Sequence, residues 1–345
     1  MATYDFVFVG LGLRNWCGKS GGDGGETMSM AQLLTQTSGN DAETSPWETP
    51  FPSMDALHEA CPSFAQSRDL TSGLEEGFLS IKDSLKAVVD PITQPLSWAL
   101  EEALWVMQAV PWFIMIPLLM LVAWIVGRQL KLVALVAICF GFLGFVDYYI
   151  YTMQTLAIIF VCALTCVLLG VPIGIAMSRS DRVQRIMIPI LDMLQTLPPF
   201  VYLIPLIFLF SVTEPKLYGI AIILYAIVPV VRLTDLGIRL VDPDVTEAAD
   251  AFGMNKTQKL FNVQIPLALP NIMAGVNQTI MMSLAMVVIA SLVSAPGLGV
   301  LVLRGIRSLE LGVGLLSGLG IVLLAIILDR VTKAALARIN VSQSR

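Results

Sequence analysis

Histidine is nearly absent from these 345 residues: His58 stands alone in a polar stretch, with no partner evident in the sequence. Without a Ser/His/Asp or Cys/His set or paired carboxylates, the sequence argues against a hydrolytic active site. Charged residues are scarce too, at 14%, and no basic stripe interleaves with aromatics, so nucleic acid is not an expected partner. The phosphate-cradling pattern GxxxxGK[ST] is missing as well. Of the five cysteines, Cys139, Cys162 and Cys166 lie in apolar runs and read as small packing residues. Cys162 and Cys166 share a helix face at i,i+4 but lack a second ligand pair, which argues against a metal site. Cys17 and Cys61 are free to pair if their segment is exported, although the spacing does not require it.

What is abundant is apolar. Hydrophobic residues make up 56% of the chain and the mean hydropathy is +0.78, far from an ordinary soluble composition. The net charge of −5 hides an asymmetry, −8 over residues 1–100 and +3 over 101–345, so the two parts are expected to face different surroundings. Residues 1–73 form a polar tail rich in Gly, Ser, Thr, Asp and Pro, of disordered character. Phe6 to Gly12 briefly resembles a dinucleotide fingerprint, but Asn15 replaces the third glycine and no βαβ unit follows. The opening also lacks the basic leader of a signal peptide, and Met28 or Met30 is an alternative start. Residues 74–103 carry an apolar stripe, Leu74, Phe78, Ile81, Leu85 and Val88 or Val89, at helical spacing. This amphipathic helix lies either on the membrane surface or on the protein's own spans.

From Trp105 onward the apolar runs reach spanning length, about 17–25 residues each. Seven spans are expected, near 106–127, 130–147, 153–177, 187–210, 217–233, 270–293 and 311–328, the second being the shortest. The expected class is all-α, a polytopic membrane protein with residues 104–345 as its transmembrane domain. If the polar loop at 234–269 is cytoplasmic, 13 Lys and Arg fall inside and 3, Lys216, Arg304 and Arg307, outside. By the positive-inside rule this predicts an external N-terminus and a cytoplasmic C-terminus.

Asp242 to Pro270 is the longest polar interruption of this region. Asp244 is the expected N-cap, with Glu247 three residues on as in a capping box. Glu247-Ala248-Ala249 then gives a first turn with a carboxylate near the positive helix end and two small side chains. Gly253 fits a helix stop. A second short helix, roughly 256–262, is expected to end before Pro266 and Pro270, which forbid regular continuation. Pattern alone leaves two readings open, a solvated connector and a docking helix–turn–helix.

Polar groups within spans are costly and therefore informative. The densest cluster runs from Asp192 through Gln195 and Thr196 to Pro198 and Pro199, where the helix must break and free its carbonyls. It suits the wall or gate of a pathway, or else a packed kink with its polar groups satisfied. Asn277, Gln278 and Thr279 form a matching cluster, extended by Ser283, Ser291 and Ser294. Met281, Met282 and Met286 beside it read as packing, with adaptable thioethers able to line a route. Ser294 to Gly299 and Arg304 to Arg307 make an external re-entrant or surface segment, the two arginines meeting lipid headgroups or a docking protein.

The spacing of the polar loop is specific. EAA at 247–249, three residues, Gly253, nine residues and then Val263-Gln264-Ile265-Pro266 resembles the EAA signature of ABC importer permeases, EAA-x3-G-x9-I-x-L-P. Val263 and Ile265 stand for the commoner Ile and Leu. SRSDRVQRIMIPILDMLQTLPPFVYLIP (178–205), PVVRLTDLGIRLV (229–241), PNIMAGVNQTIMMSLAMVVIASLV (270–293) and GLGIVLLAIILDR (318–330) are similar to the permeases of glycine betaine/proline betaine ABC importers. The resemblance covers about residues 75–345. It implies the type I importer permease fold, with Glu247, Ala248, Ala249, Gly253 and Pro266 in a coupling helix that docks on a cytoplasmic ATPase. It further implies a second copy of the permease, an external substrate-binding protein, a bacterial cytoplasmic membrane and a zwitterionic osmolyte as cargo. ATP and Mg would be bound by the ATPase, with no cofactor in this chain. The aromatic cage that captures a betaine by cation–π attraction would belong to the binding protein.

Two rivals remain. An ion-coupled secondary transporter would need a membrane-embedded ion site, for which Asp192 is the well-placed acid. An importer of the same mechanism could instead carry choline, proline, taurine or a sulfonium osmolyte.

Overall fold

The computed structural model describes residues 53–61 and 65–343. The run at Phe6, the alternative starts at Met28 and Met30, and Cys17 lie outside the described residues. The chain divides into two units, Met1–Asp83 and Ser84–Arg345. The first holds helix α1 (Met54–Ala60) and the opening of α2 (Ser67–Ala109). The Ser67 amide and hydroxyl donate to the Asp55 carboxylate at 2.9 and 2.7 Å. These bonds favour the ionised form and hold Asp55 below the usual carboxylate range. Cys61 is buried and disulfide-bonded.

The second unit is helical throughout its described residues, with no strand among them. After α2 come α3 (Trp112–Gly127), α4 (Leu130–Phe145), α5 (Tyr149–Arg179) and α6 (Asp181–Thr196). A 3-10 turn (Pro199–Tyr202) leads to α7 (Leu203–Leu209), α8 (Pro215–Arg239), α9 (Pro243–Ala251) and α10 (Lys256–Lys259). A π-helical turn (Leu260–Gln264) leads to α11 (Ile265–Ala290), then α12 (Leu298–Arg307) and α13 (Leu311–Gln343).

The centre of this unit is α8, packed between α5 and α11. Small residues permit the approach, as apolar helices in lipid gain contact by packing rather than by leaving water. A Cβ at Gly170 would lie 2.4 Å from Val230 Cγ1, and one at Gly174 2.6 Å from the Val231 carbonyl oxygen. On the other side of α8, a Cβ at Gly275 would stand 3.0 Å from the Val230 Cα. The segment expected as re-entrant or surface becomes α12, which packs on α13 where Gly305 meets Gly314.

The expected spans fall on helices, with corrections. Among the described residues, four helices are long and apolar enough to cross a membrane: Tyr149–Arg179, Pro215–Arg239, Lys256–Val293 and Leu311–Ala337. Two bent pairs, Ser67–Ala109 with Trp112–Gly127 (113°) and Asp181–Thr196 with Pro199–Leu209 (104°), raise the number to six if each is one span. The run at 187–210 is broken where its prolines were expected to break it, because Pro198 and Pro199 cannot donate to the ladder. The 16 residues of α4 extend only about 24 Å, short of a hydrocarbon core of about 30 Å. Lys216, counted by sequence among the three external Lys and Arg, is only 5% exposed. It pairs with Asp90 at 2.7 Å and Glu214 at 2.9 Å, tying α2 to α8.

Candidate coupling elbow and pathway residues

The polar loop folds as an elbow of two short helices. Asp242, rather than the expected Asp244, caps α9 and accepts the Asp244 amide at 2.9 Å. Pro243 explains the shift, since it fits the first helical turn where its missing N–H is no loss. Gly253 ends α9 at φ 75. Its amide donates to Asp250 O at 2.9 Å, and the Met254 amide donates to Ala249 O at 3.1 Å, the two bonds of a Schellman cap. The capping box sits on the next helix: Asn255 accepts the Gln258 amide at 2.8 Å, and the Gln258 side chain accepts the Asn255 amide at 3.0 Å. Lys259 Nζ then grips both carboxylate oxygens of Asp250 at 2.7 Å, locking α10 against α9.

Pro266 and Pro270 do not interrupt the chain as expected. The helix continues from Lys256 to Val293, with the π turn taking up the strain ahead of Pro266. Pro266 falls in the first turn of α11, directly after the π turn, so its missing N–H coincides with the change in hydrogen-bond pattern. The elbow is thus continuous with a span. Its base is pinned by Ile238, Leu260, Ala268 and Ile272, all buried together. Its outward surface carries Glu247 and Ala248, with Val245, Phe252 and Phe261 exposed by 41%, 84% and 59%, while Ala249 is turned in.

A second anchor was not anticipated from the sequence. Arg239, at the end of α8, donates to Asp235 at 2.9 Å, to Asp181 at 2.9 Å and to the Met177 carbonyl at 2.9 Å. Gln184 donates to the other Asp235 oxygen at 2.7 Å. One guanidinium fork therefore fastens α8, α5 and α6 just before the elbow begins. The i,i+4 spacing of Asp235 and Arg239 was a readable signal for half of this cluster.

Asp192 forms an ion pair with Arg232 of α8. Gln195, Thr196 and Pro198 are exposed at the end of α6. Pro198 has no amide to offer the Leu194 carbonyl, and the Tyr202 hydroxyl donates to that carbonyl instead. The kink is thereby satisfied by a side chain from beyond the break. Asn277 does not join this cluster; it donates to Asp329 of α13 at 3.1 Å, and Lys333 holds the same carboxylate at 2.8 Å. Gln278 is exposed and Met281 half-buried. The Oδ1 of Asn277, Oγ1 of Thr279 and Oγ of Ser283 are buried without a hydrogen-bond partner among the described residues. Cys139, Cys162 and Cys166 are buried free thiols.

Long apolar helices joined through a rigid polar elbow, with no strand among the described residues, place the protein in the class of polytopic α-helical membrane proteins. The chain belongs to the binding-protein-dependent transport system inner membrane components, whose family profile matches residues 167–341. It is similar to the glycine betaine/proline betaine transport system permease protein ProW of Escherichia coli (strain K12), 39% identical over 291 residues, 83% of this chain and 80% of that protein. It is also similar to the glycine betaine transport system permease protein OpuAB of Bacillus subtilis (strain 168), 44% identical over 61% of this chain and 73% of that protein. Among solved structures, the inward-facing MetNI methionine ABC transporter matches with a TM-score of 0.49 at 18% identity, over 55% of this chain and 94% of that one. The chain is thus a non-catalytic transmembrane permease subunit of an ABC importer.

Proposed function

We propose that this permease carries a compatible solute such as glycine betaine or proline betaine inward, powered by ATP hydrolysed on a separate cytoplasmic subunit. The observation that carries the reading is the 39% identity shared with ProW across 80% of that protein's length. Two copies of the chain form the path, and an external binding protein delivers the cargo. The N-terminus faces outward and the C-terminus the cytoplasm, the arrangement that puts most Lys and Arg inside. ATP and Mg sit on the ATPase.

In this reading Glu247, Ala248, Ala249 and Gly253 dock into the ATPase, and Pro266 marks the point where the elbow joins its span. The exposed Phe252 gives the docking surface an apolar anchor. Closure of the ATPase pair pushes the elbow, and the movement passes into α11 directly and into α5 and α6 through Arg239. Asp192, Gln195 and Thr196 on α6 and Pro198 just beyond it, with Asn277, Gln278 and Met281 on α11, line the path. The substrate needs only a weak site there, because alternating access requires that it also leave.

The test is uptake of labelled glycine betaine into vesicles holding permease, ATPase and binding protein. ATP-dependent accumulation, competed by proline betaine and not by taurine, supports the reading. Accumulation by the permease alone under an ion gradient would sink it.

A further inference from the structure

We infer that the cavity between α4 and α13 is a binding site for the phosphate of an anionic phospholipid headgroup. The cavity holds about 420 Å³ and is bordered by Lys131, Arg330 and Lys333, with the Gln129 amide beside them. Its wall is apolar, made by Leu132, Leu135 and Ala334. The backbone explains the juxtaposition. Arg128 takes a left-handed conformation, φ 47, so α3 turns into α4 within two residues. Gly127 packs so closely that a Cβ there would lie 2.6 Å from Leu132 and 3.3 Å from the Ala334 Cβ. Those contacts bring Lys131 beside the turn of α13 that carries Arg330 and Lys333.

Among the described residues Asp329 offsets only part of this charge. Lys333 is paired with Asp329 at 2.8 Å. Among the described residues, neither Lys131 nor Arg330 has a carboxylate within ion-pair distance, and both are exposed. Their level along the helices matters as much. The apolar runs Trp124-Ile125-Val126 and Ile326-Ile327-Leu328 stop at the cavity, which places it where hydrocarbon gives way to headgroups. Basic recesses between membrane helices at this depth attract anionic headgroups, while the apolar wall accepts the acyl chains that follow. A soluble anion would make no use of that wall. The inference needs only that the chain spans a membrane, whatever its cargo.

The experiment uses the purified full chain in detergent, with lipid retention read by native mass spectrometry and thermal stability read alongside. Dioleoyl phosphatidylglycerol is compared with dioleoyl phosphatidylcholine and with inorganic phosphate. Wild type is expected to retain and be stabilised by phosphatidylglycerol alone. The double variant Lys131→Gln/Arg330→Gln should lose roughly thirty-fold in that preference, about fivefold per cation removed. Lys131→Arg/Arg330→Lys should keep the preference, and so should Arg304→Gln/Arg307→Gln, which removes the same charge elsewhere. Undiminished retention by the Gln pair, equal retention of phosphatidylcholine, or equal stabilisation by free phosphate would each overturn the assignment. So would a Gln pair that keeps its lipid but no longer assembles with the ATPase, since the cavity would then be a protein interface.

Discussion

Replacing Gly253 by alanine isolates one quantity, the conformational cost of the residue that ends α9. A Cβ at this position meets nothing within 4 Å, so no steric clash enters. What enters is φ 75, which costs a non-glycine residue about 1–2 kcal/mol. The alternative to bearing that strain is to open the cap, which forfeits two hydrogen bonds worth about 0.5–1.5 kcal/mol each. The two costs are comparable, so Gly253→Ala should leave the elbow formed but loosened by about 1.5 kcal/mol. Amide exchange at Met254 should then rise about tenfold in the permease itself. In the reconstituted importer, betaine transported per ATP hydrolysed should fall. Asparagine tolerates the left-handed region, so Gly253→Asn should recover most of the loss. If Ala behaves as wild type, the cap does not matter to coupling. If Asn is as damaging as Ala, the position is sensitive to bulk against its partner and the backbone argument fails.

Arg239→Met strips the guanidinium from Asp235, whose side chain is 9% exposed. The loss should be about 2 kcal/mol in thermal unfolding, less than a fully buried pair because Arg239 is itself partly in solvent. Adding Asp235→Asn should return part of it by removing the stranded charge. Asp192→Asn should shift the melting temperature little, as exposed pairs contribute under about 1 kcal/mol. A fall in uptake without a fall in stability would place Asp192 on the path, whereas unchanged uptake would remove it.

Much of the fold was legible in the sequence because lipid imposes long apolar runs, and the elbow because EAA and Gly253 keep a fixed spacing. What escaped was decided by contacts between distant segments. Lys216 was only counted among the external charges, since nothing local announces Asp90 as its partner 126 residues away. The cap moved from Asp244 to Asp242 because both are good caps and Pro243 chose between them. Pro266 read as a stop because a π turn has no composition of its own. Asn277 read as part of a polar patch, while its bond to Asp329 links helices that only folding brings together.

The π turn at Leu260–Gln264 makes segment length a mechanical setting. A π turn holds one residue more than the α-helical turn it replaces, so deleting one residue there should close it into an ordinary turn and leave Asn277 facing Asp329. An inserted residue has no such slack to use and would swing α9 about 100° around the shaft.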